Sequence, residues 1–169
     1  MISLMVPTLH INGIRESGEI LALKSFLHKS DPDVLIITET HLTKVEITKV
    51  VLPTYDLVAE KSHVPDEMRM RGGVAIFARQ GVACEDISAE TRQLEPPLYS
   101  CTVMLLLGGV APGAFKITGL YLTPKPQSAA EKLSRLTERN ADTTFQGPRV
   151  GHLLVGDLNH PSCESGYRT

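Results

Sequence analysis

Residues 31–42 read DPDVLIITETHL, and the fold prediction starts from this stretch. Asp31-Pro32-Asp33 is a turn signal, and the wholly apolar run Val34 to Ile37 that follows is typical of a short strand buried on both faces. The run then delivers Thr38 and Glu39 where the strand emerges. A rigid strand can aim a carboxylate into a site, although a lone carboxylate there is most often a solvated cap.

Strand-like and helix-like segments alternate on both sides of this stretch. Further strands are predicted over 4–11, 74–78, 100–107, 115–122 and 152–155, and helices over 17–29, 43–51 and 128–139, whereas 60–71 is polar and irregular. Glycine-rich residues 108–113 between two β-prone segments predict a hairpin. A βαβ start followed by a hairpin indicates an α/β or α+β sandwich and not a doubly wound sheet.

Composition excludes several classes of protein. The 169 residues are 42% hydrophobic and 21% charged, with a net charge of -2, which argues for one globular domain and against disorder or a generally basic nucleic-acid coat. No apolar run approaches the roughly 18 residues of a membrane span, so we expect no membrane partner. Cys84, Cys101 and Cys163 are scattered and odd in number, which fits a reducing compartment, so we expect an intracellular protein of the nucleus or cytoplasm.

A second apolar strand repeats the design of the first. Leu153 to Val155 delivers Gly156-Asp157-Leu158-Asn159 at its end. Two carboxylates such as Glu39 and Asp157 repel each other when they are brought together unless a cation lies between them. The oxygens of Glu, Asp and Asn suit Mg²⁺ or Mn²⁺ better than zinc.

Two further polar residues stand at the ends of predicted strands. Asn12 precedes Gly13 and is either a turn asparagine or part of a site. Tyr121 lies near the end of an apolar strand and is either a core or rim aromatic or a residue that hydrogen-bonds a phosphate oxygen. All six histidines are interpreted as surface residues. Four have no partner at metal-ligand spacing: His10, His28, His63 and His152. His41 follows Glu39 by two residues, and His160 follows Asn159 directly. Motifs of P-loop NTPases, dinucleotide-binding proteins, zincins and α/β-hydrolases are absent.

Five segments, in order along the chain, resemble the endonuclease/exonuclease/phosphatase superfamily, the fold of deoxyribonuclease I and the apurinic endonucleases. They are HINGIR around Asn12, DPDVLIITETHL around Glu39, RGGVAIFAR at 71–79, ITGLYLTP around Tyr121, and HLLVGDLNHP around Asp157 and Asn159. The motifs TETHL and RGGVAIFAR are most similar to those of the endonuclease domains of non-LTR retrotransposons. The resemblance implies a four-layer α/β sandwich in which two mixed β-sheets pack face to face between flanking helices.

The resemblance also implies a role for each site residue. Glu39 binds a divalent metal, Mg²⁺ or alternatively Mn²⁺, and Asn12 helps to hold that metal or the active-site network. Tyr121 contacts the scissile phosphate, Asp157 orients or activates the attacking water, and Asn159 hydrogen-bonds the phosphate. The implied reaction is endonucleolytic hydrolysis of DNA that leaves a 3′-hydroxyl, with a linked reverse transcriptase as a further partner in a full-length element.

The sequence departs from the family pattern at its C-terminal end. The chain ends at Thr169 without the family's Ser-Asp-His motif, and Leu158 replaces the usual aromatic between Asp157 and Asn159. We therefore expect residues 1–169 to be the N-terminal portion of a single domain that lacks the last strands, with impaired activity. A non-catalytic remnant and a phosphatase of the same superfamily stay open as alternatives. Basic residues that either contact DNA phosphates or form a solvated face are Arg69, Arg71, Arg79, Lys132, Arg135 and Arg139.

Overall fold

Two four-stranded sheets form the protein, and the computed structural model describes residues 4–14, 17–62, 72–88, 98–107, 113–122 and 151–157. The first sheet contains β1 (Thr8–His10), β2 (Val34–Thr38), β3 (Tyr55–Lys61) and β4 (Val74–Arg79), in the order β1-β2-β4-β3. The second contains β5 (Cys84–Asp86), β6 (Leu98–Leu107), β7 (Gly113–Leu122) and β8 (Gly151–Asp157), in sequence order. The helices are α1 (Ser17–Ser30) and α2 (Lys44–Ile47).

The central strand β2 is buried on both faces, as its sequence predicts. Leu35 and Ile37 pack into a cluster with Leu23 of α1, which covers the outer face of the first sheet. Val34 and Ile36 point the other way, into a second cluster shared with strands of the second sheet. The period-2 alternation of side chains therefore places the two sheets face to face and the helix outside them, which confirms the predicted sandwich.

Both sheets are mixed, and their parallel pairs lie at one edge. β1 pairs with β2 in parallel, and β7 pairs with β8 in parallel. β6 and β7 form the predicted hairpin, in register from Leu98–Leu122 to Leu107–Gly113. The strands of a parallel pair end on the same side of their sheet. Because the two sheets pack face to face, the ends of both parallel pairs lie close together.

Local signals predicted α2 correctly but not its length. The backbone N–H of Thr43 donates to Glu46 Oε2 at 2.8 Å and that of Glu46 to Thr43 Oγ1 at 3.3 Å, which is the predicted capping box. The helix ends at Ile47 and not near Val51, because the chain then tightens into i→i+3 bonds, such as Val50 N–H to Ile47 O at 3.1 Å.

One predicted strand is shorter than expected, and two strands were not predicted. β1 has only three residues because Pro7 has no N–H to donate, although its carbonyl accepts from Ile36 at 3.1 Å. β3 and β5 were not predicted, and the end of β3 falls in the segment interpreted as irregular. β3 forms by antiparallel pairing with β4 across a bulge between Leu57 and Ala59. The predicted helix 128–139 and Cys163 lie outside the described residues, and neither described helix is long and apolar enough to cross a membrane.

Candidate active site at the strand ends

The carboxyl ends of β1, β2, β7 and β8 meet where the two sheets face each other. His10 pairs with Thr38 at the end of the first parallel pair, and Tyr121 pairs with Asp157 near the end of the second. Glu39 follows Thr38 directly. Polar side chains from four strands thus converge on one region, which is the usual place for a site in a sheet protein.

Two loops hold the backbone of Glu39 in a left-handed conformation, with φ at 55°. The N–H of Gly13, in the loop after β1, donates to Glu39 O at 2.7 Å. From the other side, Thr40 N–H donates to Gly73 O at 3.4 Å and His41 N–H to Gly72 O at 2.9 Å. A positive φ is costly for a residue with a side chain and persists only where the surroundings enforce it, so these bonds fix the direction of the Glu39 carboxylate.

Tyr121 joins the two sheets at the site. Its side chain is only 1% exposed, and its ring centroid lies 6.1 Å from that of Tyr99 in the core between the sheets. Its hydroxyl donates a hydrogen bond to Glu39 Oε1. The Glu39 side chain is 15% exposed, so the bond to a nearly buried carboxylate is of the strong, charge-assisted kind.

His10 lies between the two carboxylates. Its Nε2 is 3.0 Å from Glu39 Oε2, and its Nδ1 is 3.0 Å from Asp157 Oδ2. The ring is 45% exposed, whereas the side chains of Glu39 and Asp157 are 15% and 28% exposed. His41 approaches from a different side, with Nε2 3.9 Å from Glu39 Oε2. One imidazole therefore separates two negative charges that would otherwise repel each other.

The structure brings together three of the five residues predicted for the site: Glu39, Tyr121 and Asp157. Asn12 is exposed, in a left-handed conformation with φ at 54°, and lies directly before the glycine that bonds the Glu39 carbonyl. Asn159 lies outside the described residues. The roles of all five stay predictions.

His10 is exposed, as its interpretation as a surface histidine predicts, but it has partners in space that its spacing along the chain does not show. Leu9 and Ile11 pack against the core cluster under α1, so strand alternation turns His10 toward the second sheet. That alternation is visible in the sequence, but the two carboxylates that His10 meets come from residues 29 and 147 positions away, as the numbers of Glu39 and Asp157 show. Spacing along the chain does not detect such a cluster.

The donor types at the site fit a hard divalent cation. Within the described ranges, no group of three or more His, Cys, Asp and Glu side chains could hold a metal ion by itself. Glu39 and Asp157 nevertheless approach one imidazole from two sides, and carboxylate oxygens are the donors that Mg²⁺ and Mn²⁺ prefer. Glu39, whose side chain is less exposed than that of Asp157, stays the residue predicted to hold such an ion.

Arg79 lies at the opposite end of β2 and serves the fold. The Arg79 guanidinium donates to Asp33 Oδ1, and the backbone N–H of Arg79 donates to Asp33 O at 2.9 Å. The pKa of Asp33 is lowered mainly by the backbone N–H of Met5, which donates to the same carboxylate at 3.0 Å; burial opposes this, and the hydrogen bond and charge of Arg79 lower the pKa as well. The other basic residues predicted to meet DNA lie outside the described part of the chain: Arg69, Arg71, Lys132, Arg135 and Arg139.

Comparison with known proteins places this chain in a family. The sequence model of the endonuclease/exonuclease/phosphatase family matches residues 11–169, and the chain belongs to this family. A comparison with curated proteins found no match.

Solved structures share the fold at low sequence identity. The mannosyl-6-phosphatase Bt3783 of Bacteroides thetaiotaomicron VPI-5482 is 16% identical with a TM-score of 0.66, and the match covers 93% of this chain and 66% of that one. D. rerio TDP2 complexed with single strand DNA product is 15% identical with a TM-score of 0.61, covering 92% and 60%. The human Nocturnin catalytic domain with bound sulfate anion is 15% identical with a TM-score of 0.59, covering 92% and 64%. The chain therefore spans about two thirds of the length of these structures.

Proposed function

We propose that this chain carries the metal-binding and water-activating part of a DNA phosphodiesterase, which nicks DNA as the non-LTR retrotransposon endonucleases do. The observation that carries the proposal is the convergence of Glu39, Tyr121 and Asp157 from both sheets onto one region. Membership of the endonuclease/exonuclease/phosphatase family supports a phosphoester substrate. The motifs TETHL and RGGVAIFAR support the retrotransposon type, with DNA and a linked reverse transcriptase as partners.

Each residue has a physical role in such a hydrolysis. Glu39, assisted by Asn12, would hold Mg²⁺ or Mn²⁺, and the bound ion would screen the phosphate charge and stabilise the departing oxygen. Asp157 would accept the proton of the attacking water, because its carboxylate lies at the rim of the site and is more exposed than that of Glu39. Asn159 would donate a hydrogen bond to the phosphate as its charge grows. Tyr121 would contact the scissile phosphate, and to donate to it the Tyr121 hydroxyl would have to leave Glu39, because a phenol has one O–H.

A plasmid-nicking assay with Mg²⁺ or Mn²⁺ tests this proposal. Glu39→Gln and Asp157→Asn each remove a charge without changing the shape of the side chain, and we expect nicking to fall by about 10²–10⁴-fold. Glu85→Gln is the matched control, because Glu85 is exposed on β5 and pairs with Met104 away from the site. Equal nicking by all four proteins would reject the site assignment.

Two other results would redirect the proposal to the alternatives. Release of phosphate from a phosphomonoester without any nicking, lost in Glu39→Gln, would identify a phosphatase. Binding of DNA with no cleavage under either metal would identify a non-catalytic remnant.

A further inference from the structure

His10 contacts both carboxylates of the candidate site, Glu39 and Asp157. Its Nε2 faces Glu39 Oε2 and its Nδ1 faces Asp157 Oδ2, each at 3.0 Å. The ring is held in place by the parallel pairing of His10 with Thr38 and by the ring of Tyr121, whose centroid lies 6.4 Å away. A potential ligand that stands on a strand is positioned more precisely than one on a loop.

The surroundings of the two ring nitrogens differ. Nδ1 has two oxygen neighbours, Asp157 Oδ2 at 3.0 Å and Thr38 Oγ1 at 3.4 Å. Nε2 faces Glu39 Oε2. A neutral imidazole has one N–H and one lone pair. With the N–H on Nδ1 donated to Asp157, the lone pair of Nε2 points at the Glu39 carboxylate, and a cation shared by both relieves their repulsion.

We propose that His10 is a ligand of the divalent cation at this site, binding through Nε2 beside the carboxylate of Glu39, while Asp157 holds the Nδ1–H. The inference rests on the proposed metal-dependent function and deepens it. A carboxylate that accepts the second N–H of a ligating histidine is the common arrangement in metal sites, because it fixes the ring orientation and makes the nitrogen more basic.

The nitrogen donor changes which ion the site prefers. Mg²⁺ binds oxygen donors and water almost exclusively, whereas first-row transition ions accept imidazole readily. A site with one imidazole and one carboxylate therefore favours Mn²⁺ and the ions after it over Mg²⁺. Replacing His10 by Asn keeps a polar side chain with an oxygen donor but removes the nitrogen that carries the preference.

The test is electron paramagnetic resonance of Mn²⁺ added to the full 169-residue chain, with Mg²⁺ as competitor. We expect the wild-type spectrum to contain hyperfine coupling from a directly bound imidazole nitrogen. His10→Asn should lose this coupling, still bind Mn²⁺, and show a preference for Mn²⁺ over Mg²⁺ reduced by about 10–100-fold. His28→Asn, at an exposed position of α1, is the matched control and should behave as wild type.

Three results would overturn the inference, and they separate it from the proposed function. Mn²⁺ binding that depends on Glu39 but shows no nitrogen coupling would reject His10 as a ligand and leave the metal-dependent hydrolase standing. Coupling that survives His10→Asn and disappears in His41→Asn would assign the ligand to His41. No Mn²⁺ binding by the wild-type chain would reject both proposals.

Discussion

Gly73→Ala tests whether the loop before β4 packs tightly against Thr40, the residue next to Glu39. Gly73 has φ at 97°, and a Cβ placed on it would fall well inside the van der Waals distance of Thr40 Oγ1. Thr40 is 1% exposed and directly follows Glu39, so it has little room to move. The added methyl group therefore presses on the residue that anchors the Glu39 carboxylate.

The cost has two parts, which a second glycine separates. A residue with a Cβ in the left-handed region costs about 1–2 kcal/mol, and overpacking a filled site costs about 1–3 kcal/mol. Gly81 has a nearly equal φ of 91° but no atom within 4 Å of its Cβ position. We expect Gly81→Ala to lower the free energy of unfolding by only the first amount, and Gly73→Ala by about 2–5 kcal/mol.

Urea unfolding followed by circular dichroism measures both changes. The cycle with Thr40→Ala isolates the clash, because the methyl group of Gly73→Ala should cost less where the Thr40 hydroxyl is absent. Equal losses for Gly73→Ala and Gly81→Ala, or no coupling to Thr40, would refute the steric argument.

Two further predictions concern polar side chains that are paired within the fold. Tyr121→Phe removes the hydroxyl that donates to Glu39, and the free energy of unfolding measured by urea denaturation should fall by about 1–3 kcal/mol. The loss should be smaller when Glu39 is already replaced by Ala, and an equal loss in both backgrounds would contradict the pairing. The folded-state pKa of Asp33 is lowered by the Met5 N–H and by Arg79, so its stabilising effect is complete well above pH 3.8 and is lost as the pH falls through the folded value. The loss of stability caused by Asp33→Asn, measured by urea unfolding, should therefore be largest at pH 7 and shrink below about pH 4. An effect of Asp33→Asn that is constant with pH would contradict the assignment.

Elements with strong local signals were predictable from the sequence. The apolar run of β2, the hairpin of β6 and β7 and the capping box of Thr43 and Glu46 each depend on neighbours in the chain, and all are confirmed. β3 and β5 carry no such signal. They are strands because β4 and β6 offer backbone partners, and the local sequence does not show which distant segment a strand will pair with.

The candidate site divides in the same way. Strand-end carboxylates at Glu39 and Asp157 and the aromatic Tyr121 could be selected from sequence, because a strand followed by a polar residue is a local pattern. The position of His10 between Glu39 and Asp157 was decided only by tertiary structure. Two parallel strand pairs in different sheets end at the same edge, and their packing brings together side chains that lie far apart in the chain. Sequence determined which strand ends carry chemical groups, and the packing of the sheets determined which of those groups meet.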